Sequence, residues 1–384
     1  MKPRRPSQFT LEDRGPPQRA RPSSAWPLAL AYAALIVYAS LYPFSDWRDQ
    51  GIAPWAFLSA PLPRWWTWFD LISNVLGYAP LGFLLGLAAL RSGRGVRGVL
   101  LAALACGVLS LCMETLQSYL PMRVPSNVDL ALNSAGAVAG AFLAWVLEPL
   151  GAIARWDRLR GRWFVPDARG ALALLALWPV ALLFPMAVPF GLGQVAERLE
   201  ESLAVLLDDT PFLQWLPLRD VELQPLLPGA ELLCVVLGAL VPCLLAYSIV
   251  RTRRQRAVSA LAILALGVAA TSLSSALTYA PAHAWVWLSF PVQIGLAAAL
   301  MLAALALPLP RRGCAALALL ALAVHLNLLN EAPTSAYFAQ TLQTWEQGRF
   351  IRFHGVVQWL GWIWPYVVLV YVLVRVSRRE RLLE

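Results

Sequence analysis

A chain of 384 residues that is 59% hydrophobic and only 14% charged, with a mean hydropathy of +0.60, is too apolar for a water-soluble domain; such domains carry charge on about a quarter of their residues. The formal net charge of +9 would suit nucleic acid in a soluble protein, but the 31 Lys and Arg sit in short clusters between apolar runs, which is the pattern of membrane topology. An all-α, polytopic membrane protein is therefore expected, with no nucleic-acid partner.

In chain order, residues 1–25 are rich in Arg, Pro, Ser and Gln and read as a disordered cytoplasmic tail. The run Trp26–Phe44 is long enough to span, since about 20 apolar residues cross a bilayer core. A cleaved leader is the rival reading, opposed by the length of the run and the lack of a small-x-small cleavage site. Nine further spans are expected at Trp68–Leu90, Val96–Leu120, Val128–Leu147, Gly170–Phe190, Gly229–Val250, Ala257–Tyr279, Trp285–Leu307, Gly313–Asn330 and Val356–Val376, which makes about ten transmembrane helices. Most basic residues then fall on one side: the N-terminal tail, Arg91–Arg97, Arg155–Arg169, Arg251–Arg256, Arg311–Arg312 and Arg375–Arg381. By the positive-inside rule both the N and C termini are cytoplasmic.

This divides the chain into the tail 1–25, a four-helix membrane domain 26–150, a basic cytoplasmic linker 151–169, and a six-helix membrane domain 170–384 with outer loops 191–228 and 332–354. No internal repeat relates the two membrane domains, so an inverted-repeat transporter has no direct support. Ile52–Trp66, with Trp55, Phe57, Trp65 and Trp66 among prolines, reads as an interfacial segment. In the loop 191–228, Val195, Leu199, Leu203 and Leu206 share one helical face, which predicts a short helix over the outer mouth. The loop 332–354 has a similar aromatic content; a solvated linker is the other reading of both. The five cysteines lie in apolar runs without a C-x-x-C pair, and His283, His325 and His354 are scattered, so no disulfide framework, metal site or cofactor is expected.

The polar residues gather in the first domain. Glu114 and Gln117 lie three apart near the end of the third span, Asp129 and Asn133 four apart at the start of the fourth, and Asp70 and Asn74 four apart at the start of the second. With the topology above, all six lie at the outer end, and Arg123 lies in the loop between spans three and four. Gly82, Gly86, Gly136 and Gly140 continue the stripes and read as helix-packing positions. Thr67-x-x-Asp70 and Ser126-x-x-Asp129 also fit capping boxes, so a structural role for both acids stands beside a functional one. Glu114 is different: it sits near the C-terminal end of its own helix, where the dipole disfavours an anion, and an acid in a span is expensive. It needs a partner, and Arg123 is the expected one, either as a structural ion pair or as a pair that also binds a ligand.

Tyr38-Ala-Ser-Leu-Tyr-Pro-Phe44, Asp70 with Asn74 and Pro80-Leu-Gly82, Glu114-x-x-Gln117, Arg123-x-Pro-Ser126 and Asp129-x-x-x-Asn133-x-x-Gly136, taken in order, resemble the VanZ-like family over about residues 26–148. The founding member of that family is associated with resistance to the glycopeptide teicoplanin. The resemblance implies a polar outer-leaflet site and a role in the cell envelope of a bacterium, and it supplies no reaction. Six further spans lie outside it. They carry polar groups of their own: Glu231, a hydroxyl run Thr271, Ser272, Ser274, Ser275 and Thr278, and the set His325, Asn327, Asn330 and Glu331. The hydroxyls read first as bonds back to their own helical turn. A His325–Glu331 relay is disfavoured, because residues six apart point to different faces.

Glu114, Gln117, Arg123, Asp129, Asn133, Asp70 and Asn74 thus form a candidate ligand site in a multi-pass protein of the bacterial cytoplasmic (inner) membrane. The expected function is to bind or help modify an amphiphilic envelope component, a membrane lipid or lipid-linked precursor, with an effect on glycopeptide or lipopeptide susceptibility. Arg123 would take a phosphate or carboxylate and the acids an amine. Three alternatives fit the same residues: a transporter of a small amphiphile, with Pro80 and Pro291 breaking helices; an intramembrane enzyme using Glu114 and Asp129 as acid and base; and a scaffold for an envelope assembly. No hydrolase or phosphate-loop motif accompanies the acids, so no catalytic residue is assigned and an enzyme is the weaker reading. Nothing in the sequence identifies a protein partner.

Overall fold

The computed structural model describes residues 25–42, 44, 46–62, 68–208, 210–212, 226–333 and 354–377, with side chains except at 69, 70, 152–154, 157, 201 and 354. The tail 1–24, Thr67 of the first expected capping box, Trp65 and Trp66, and most of the loop 332–354 lie outside these residues. The described fold is all-α: the only extended pairing among the described residues is an isolated antiparallel bridge between Phe164 and Val250.

The helices are α1 (Ala25–Leu41), α2 (Trp68–Arg91), α3 (Gly95–Gln117), α4 (Asn127–Leu147), α5 (Ala152–Trp163), α6 (Arg169–Ala181), α7 (Ala196–Leu207), α8 (Pro228–Ile249), α9 (Arg253–Tyr279), α10 (Phe290–Leu305), α11 (Arg311–Asn330) and α12 (His354–Ser377). Each expected span falls on one of them. Among the described residues α2, α3, α4, α8, α9, α11 and α12 are long and apolar enough to cross a membrane, whereas α1, α6 and α10 are apolar but only 17, 13 and 16 residues long. The shortening has local causes. Tyr42 precedes Pro43, and a residue before proline avoids the helical region, so α1 ends at Leu41. In the expected span Gly170–Phe190 the chain leaves the helix at Ala181, ahead of Pro185 and Pro189, and Phe190 takes a positive φ of 63°. Pro291 lies in the first turn of α10, where its missing N–H does no harm, and sets that start. Pro80 sits inside α2 without interrupting it. Neither proline breaks a helix in mid-course, as the transporter reading had expected.

The chain forms two compact units, Met1–Ile153 and Ala154–Glu384. The basic stretch between the expected domains is helical as α5, with Arg155, Arg158 and Arg162 exposed and Arg160 half-buried.

In the first unit α2 and α4 are in backbone contact. A Cβ added at Gly82, Gly136 or Gly140 would run into the carbonyl oxygen of Ala137, Val75 or Ala79 respectively, and one at Gly86 would lie 3.2 Å from the Ala141 Cα. Gly82 meets Ala137 and Gly86 meets Ala141, so residue numbers rise together along both helices: α2 and α4 run parallel, as they must when a single helix joins them. Small residues permit this approach, and dispersion and interhelical bonds then hold it in a solvent as apolar as the helices. The outward faces are apolar: Leu100, Leu104, Val108 and Leu111 form an exposed stripe on α3, and Val138, Phe142 and Trp145 one on α4. A water-soluble surface does not present apolar stripes of this extent.

In the second unit α8 is the central helix. Residues 234–249 are buried with the exception of Leu237, as expected for a helix apolar on all sides. Trp178 stacks on Phe190 with centroids 6.2 Å apart, and Phe190 meets Trp287 edge-on at 5.8 Å. The expected loop helix is present as α7, and Leu199 and Leu206 of its apolar face are exposed. Its start is held from elsewhere: Asn330 Oδ1 accepts the N–H groups of Val195 and Ala196, both at 2.9 Å.

Candidate functional site

The polar residues of the first unit converge at one end of the bundle, where α3 finishes and α2 and α4 begin. Ser126 is the N-cap of α4, with extended backbone (φ −138°, ψ 132°), and its Oγ accepts the N–H groups of Val128 and Asp129 at 3.2 and 3.3 Å. In a self-contained capping box the acid three residues on, here Asp129, would reach back to the Ser126 N–H. Instead Glu114 takes it: its Oε2 accepts the Ser126 N–H at 2.8 Å. Glu114 is only 3% exposed. The expected electrostatic difficulty is answered by this geometry. The anion is disfavoured by the dipole of α3, but it lies against the start of α4, the positive end of the next helix.

Relieved of that role, Asp129 accepts a hydrogen bond from Asn74 Nδ2 at 2.7 Å, which ties the start of α4 to α2. One turn deeper, Asn133 Nδ2 donates to Ser110 Oγ at 3.0 Å, which ties α4 to α3. Ser110 lies four residues before Glu114 on the same face of α3 and is buried. That spacing was a usable signal, and the sequence reading passed over it. Asp70 lies in the first turn of α2, and its side chain falls outside the described ones.

Gln117 and Arg123 share a different task. Gln117 Nε2 donates to the Ser40 carbonyl at 2.9 Å, and Arg123 Nη2 donates to the carbonyls of Tyr42 at 2.9 Å and Ala39 at 3.3 Å. Both therefore serve the C-terminal end of α1, where carbonyls lack helical partners and a cation is favoured. Glu114 and Arg123 thus both hold the ends of the 118–126 turn, the acid at the start of α4 and the guanidinium at the end of α1. The segment after α1 closes over the same turn: Gln50 Nε2 donates to the Ser118 carbonyl at 2.7 Å, and the Arg48 N–H donates to that of Tyr119 at 3.0 Å. Asn127 Nδ2 reaches the Ala60 carbonyl at 2.7 Å.

The structure thus brings Glu114, Asp129, Asn133 and Asn74 into one network and places Gln117 and Arg123 on its α1 side, while Gly82, Gly86, Gly136 and Gly140 set the helix spacing below. Among the described residues no group of three His, Cys, Asp or Glu could hold a metal ion, and the five cysteines are free. In the second unit, Glu331 accepts from Asn327 Nδ2 at 2.7 Å, so the weighed relay from His325 is not the contact Glu331 makes here.

Comparison with curated proteins and with solved structures finds no match. Residues 19–148 match the sequence model of a family described as VanZ/LLP1, a stretch that contains α1–α4 and the whole polar network. The chain is thus similar to the VanZ-like proteins through this segment, about a third of its length.

Proposed function

We propose that the VanZ-like unit binds, or helps to modify, an amphiphilic component of the bacterial cell envelope at the outer face of the cytoplasmic membrane, and so alters susceptibility to glycopeptides such as teicoplanin or to lipopeptides. The observation that carries this reading is the gathering of two carboxylates, Glu114 and Asp129, and the Arg123 guanidinium around a single interhelical turn. The clustering of basic residues in the other set of connecting segments supports an outer position for that turn. A site holding both signs of charge beside lipid-facing helices suits a zwitterionic or anionic headgroup whose tails remain in the bilayer. A membrane lipid or a lipid-linked precursor has that chemistry.

The test has two arms. Deletion and overexpression are read as changes in glycopeptide and lipopeptide sensitivity, and native mass spectrometry of the purified chain, with and without Arg123→Ala, asks whether a lipid stays bound. A lipid retained by the wild type and lost from a folded Arg123→Ala variant, with altered sensitivity in cells, supports the proposal. Unchanged sensitivity in both strains, with no lipid retained, rejects it.

A further inference from the structure

The second unit contains a cavity of ≈ 280 Å³, close to the lower end of the about 300–1,000 Å³ typical of ligand pockets. One wall is the non-helical stretch that follows α6, from Leu182 to Pro189, and another is the hydroxyl face of α9. Irregular backbone at the depth of a span is tolerated where it is buried in protein or lines a cavity. This stretch does both, and the Leu183 carbonyl that the broken helix leaves open is taken by Ser274 Oγ at 2.8 Å.

The polarity of the lining follows from where the hydroxyl protons go. Ser274 donates to Leu183, Ser275 Oγ to the His283 carbonyl at 2.8 Å, and Thr278 Oγ1 to the Ser274 carbonyl at 2.8 Å. Each hydroxyl has one proton, and each proton is committed to protein, so these three groups can offer an occupant only lone pairs. Glu231, exposed on the first turn of α8, is the one charged side chain in the lining among the described residues, and it too is an acceptor. Among the described residues no Lys or Arg lines the cavity. Thr271 lines it as well, and its hydroxyl is enclosed with no hydrogen-bond partner. The remaining wall includes Phe184 and Trp287. The hydroxyls of Thr271, Tyr279 and Ser289 can donate as well as accept, so the sign of the site is set by its one carboxylate and its aromatic rings, which disfavour a phosphate and favour a cation.

We propose that this cavity in the C-terminal unit binds the ammonium end of a small cationic amphiphile. Glu231 supplies the countercharge, the α9 hydroxyls accept the ammonium N–H groups, and the aromatic and aliphatic wall takes the first methylenes of the tail. This site is separate from the one proposed for the VanZ-like unit and does not rest on it.

The test is binding of radiolabelled octylammonium to the purified full chain in dodecyl maltoside, a detergent with no ammonium group of its own. Saturable binding is expected, with octanol and octyl sulfate at equal concentration failing to compete. Glu231→Gln, at an exposed position, should weaken binding by tenfold or more. Ala187→Phe, an exposed lining residue, should abolish it by filling the space, with both variants eluting as the wild type does. Competition by octanol equal to that by octylammonium, or wild-type binding in both variants, overturns the proposal, as does the absence of saturable binding.

Discussion

The Glu114 carboxylate, near the end of one membrane helix, completes the N-terminal cap of the next by accepting the backbone N–H of Ser126 at 2.8 Å. The cap is therefore shared between two helices. Ser126 supplies the hydroxyl half, a residue twelve positions earlier supplies the carboxylate half, and Asp129 is left to bind Asn74. A buried acid within a span becomes intelligible once a backbone donor at a helix start is among its partners.

Truncating the carboxylate should leave the Ser126 N–H without this acceptor in a partly buried position. A hydrogen bond to a charged group is worth about 1.5–3 kcal/mol, so Glu114→Ala should lower unfolding stability by about that amount. Glu114→Gln keeps an acceptor oxygen and should lose less than half as much. Thermal or denaturant unfolding in detergent measures both, and equal losses in the two variants would count against the shared cap.

The glycines divide by what surrounds them. Gly140 faces the Ala79 carbonyl and Gly136 that of Val75, whereas a Cβ at Gly77 would meet nothing within 4 Å. Gly140→Ala should force α2 and α4 apart and cost about 1–3 kcal/mol. Gly77→Ala should be neutral or stabilising by up to about 1 kcal/mol, because alanine is the better helix former. Unfolding midpoints of the two variants should thus move in opposite directions, or only that of Gly140→Ala should move at all.

Asn74 and Asp129 should be energetically coupled. Interhelical polar pairs in membrane proteins average about 0.6 kcal/mol, with a maximum near 1.7. A double-mutant cycle of Asn74→Ala and Asp129→Ala should return a coupling in that range. The pair Asn74 and Gln117 makes a suitable control, because Gln117 bonds to α1 rather than to α4. A cycle that is additive for the first pair would show that the 2.7 Å contact contributes nothing.

The sequence made the helices legible because apolar length and clustered arginines act locally, and the polar stripes on α2, α3 and α4 followed from helical spacing. It also contained a signal left unread: Asp70-Leu71-x-x-Asn74-x-x-Gly77 recurs as Asp129-Leu130-x-x-Asn133-x-x-Gly136, on the two helices that run parallel in contact. The partners of the polar groups were not legible. Ser126 N–H, Ser40 O and Tyr42 O are backbone atoms, and any residue could have offered them. Arginine in the loop suggested a pair with Glu114; that its guanidinium also donates to two carbonyls at the end of α1 was not legible. The expected span Gly170–Phe190 ran too long because its mean apolarity masked Pro185 and Pro189, which allow the chain to leave the helix at Ala181.

Asn330 offers a prediction in the second unit. Its Oδ1 accepts the N–H groups of Val195 and Ala196, and its Nδ2 donates to the carbonyls of Leu326 at 2.8 Å and Gly193 at 3.0 Å. The end of α11 thereby holds the beginning of α7, whose Val195 N-cap has no capping side chain of its own. The apolar residues Leu199 and Leu206 of α7 are exposed, so little packing compensates for loss of this cap. Asn330→Ala should therefore act as a cap deletion of about 1 kcal/mol felt mainly by α7. In hydrogen exchange read by mass spectrometry, amides of residues 196–207 should exchange several-fold faster while those of α8 stay protected. Asn330→Asp retains the accepting oxygen and should preserve most of the protection. Uniform acceleration across the unit would mean that Asn330 supports the core instead.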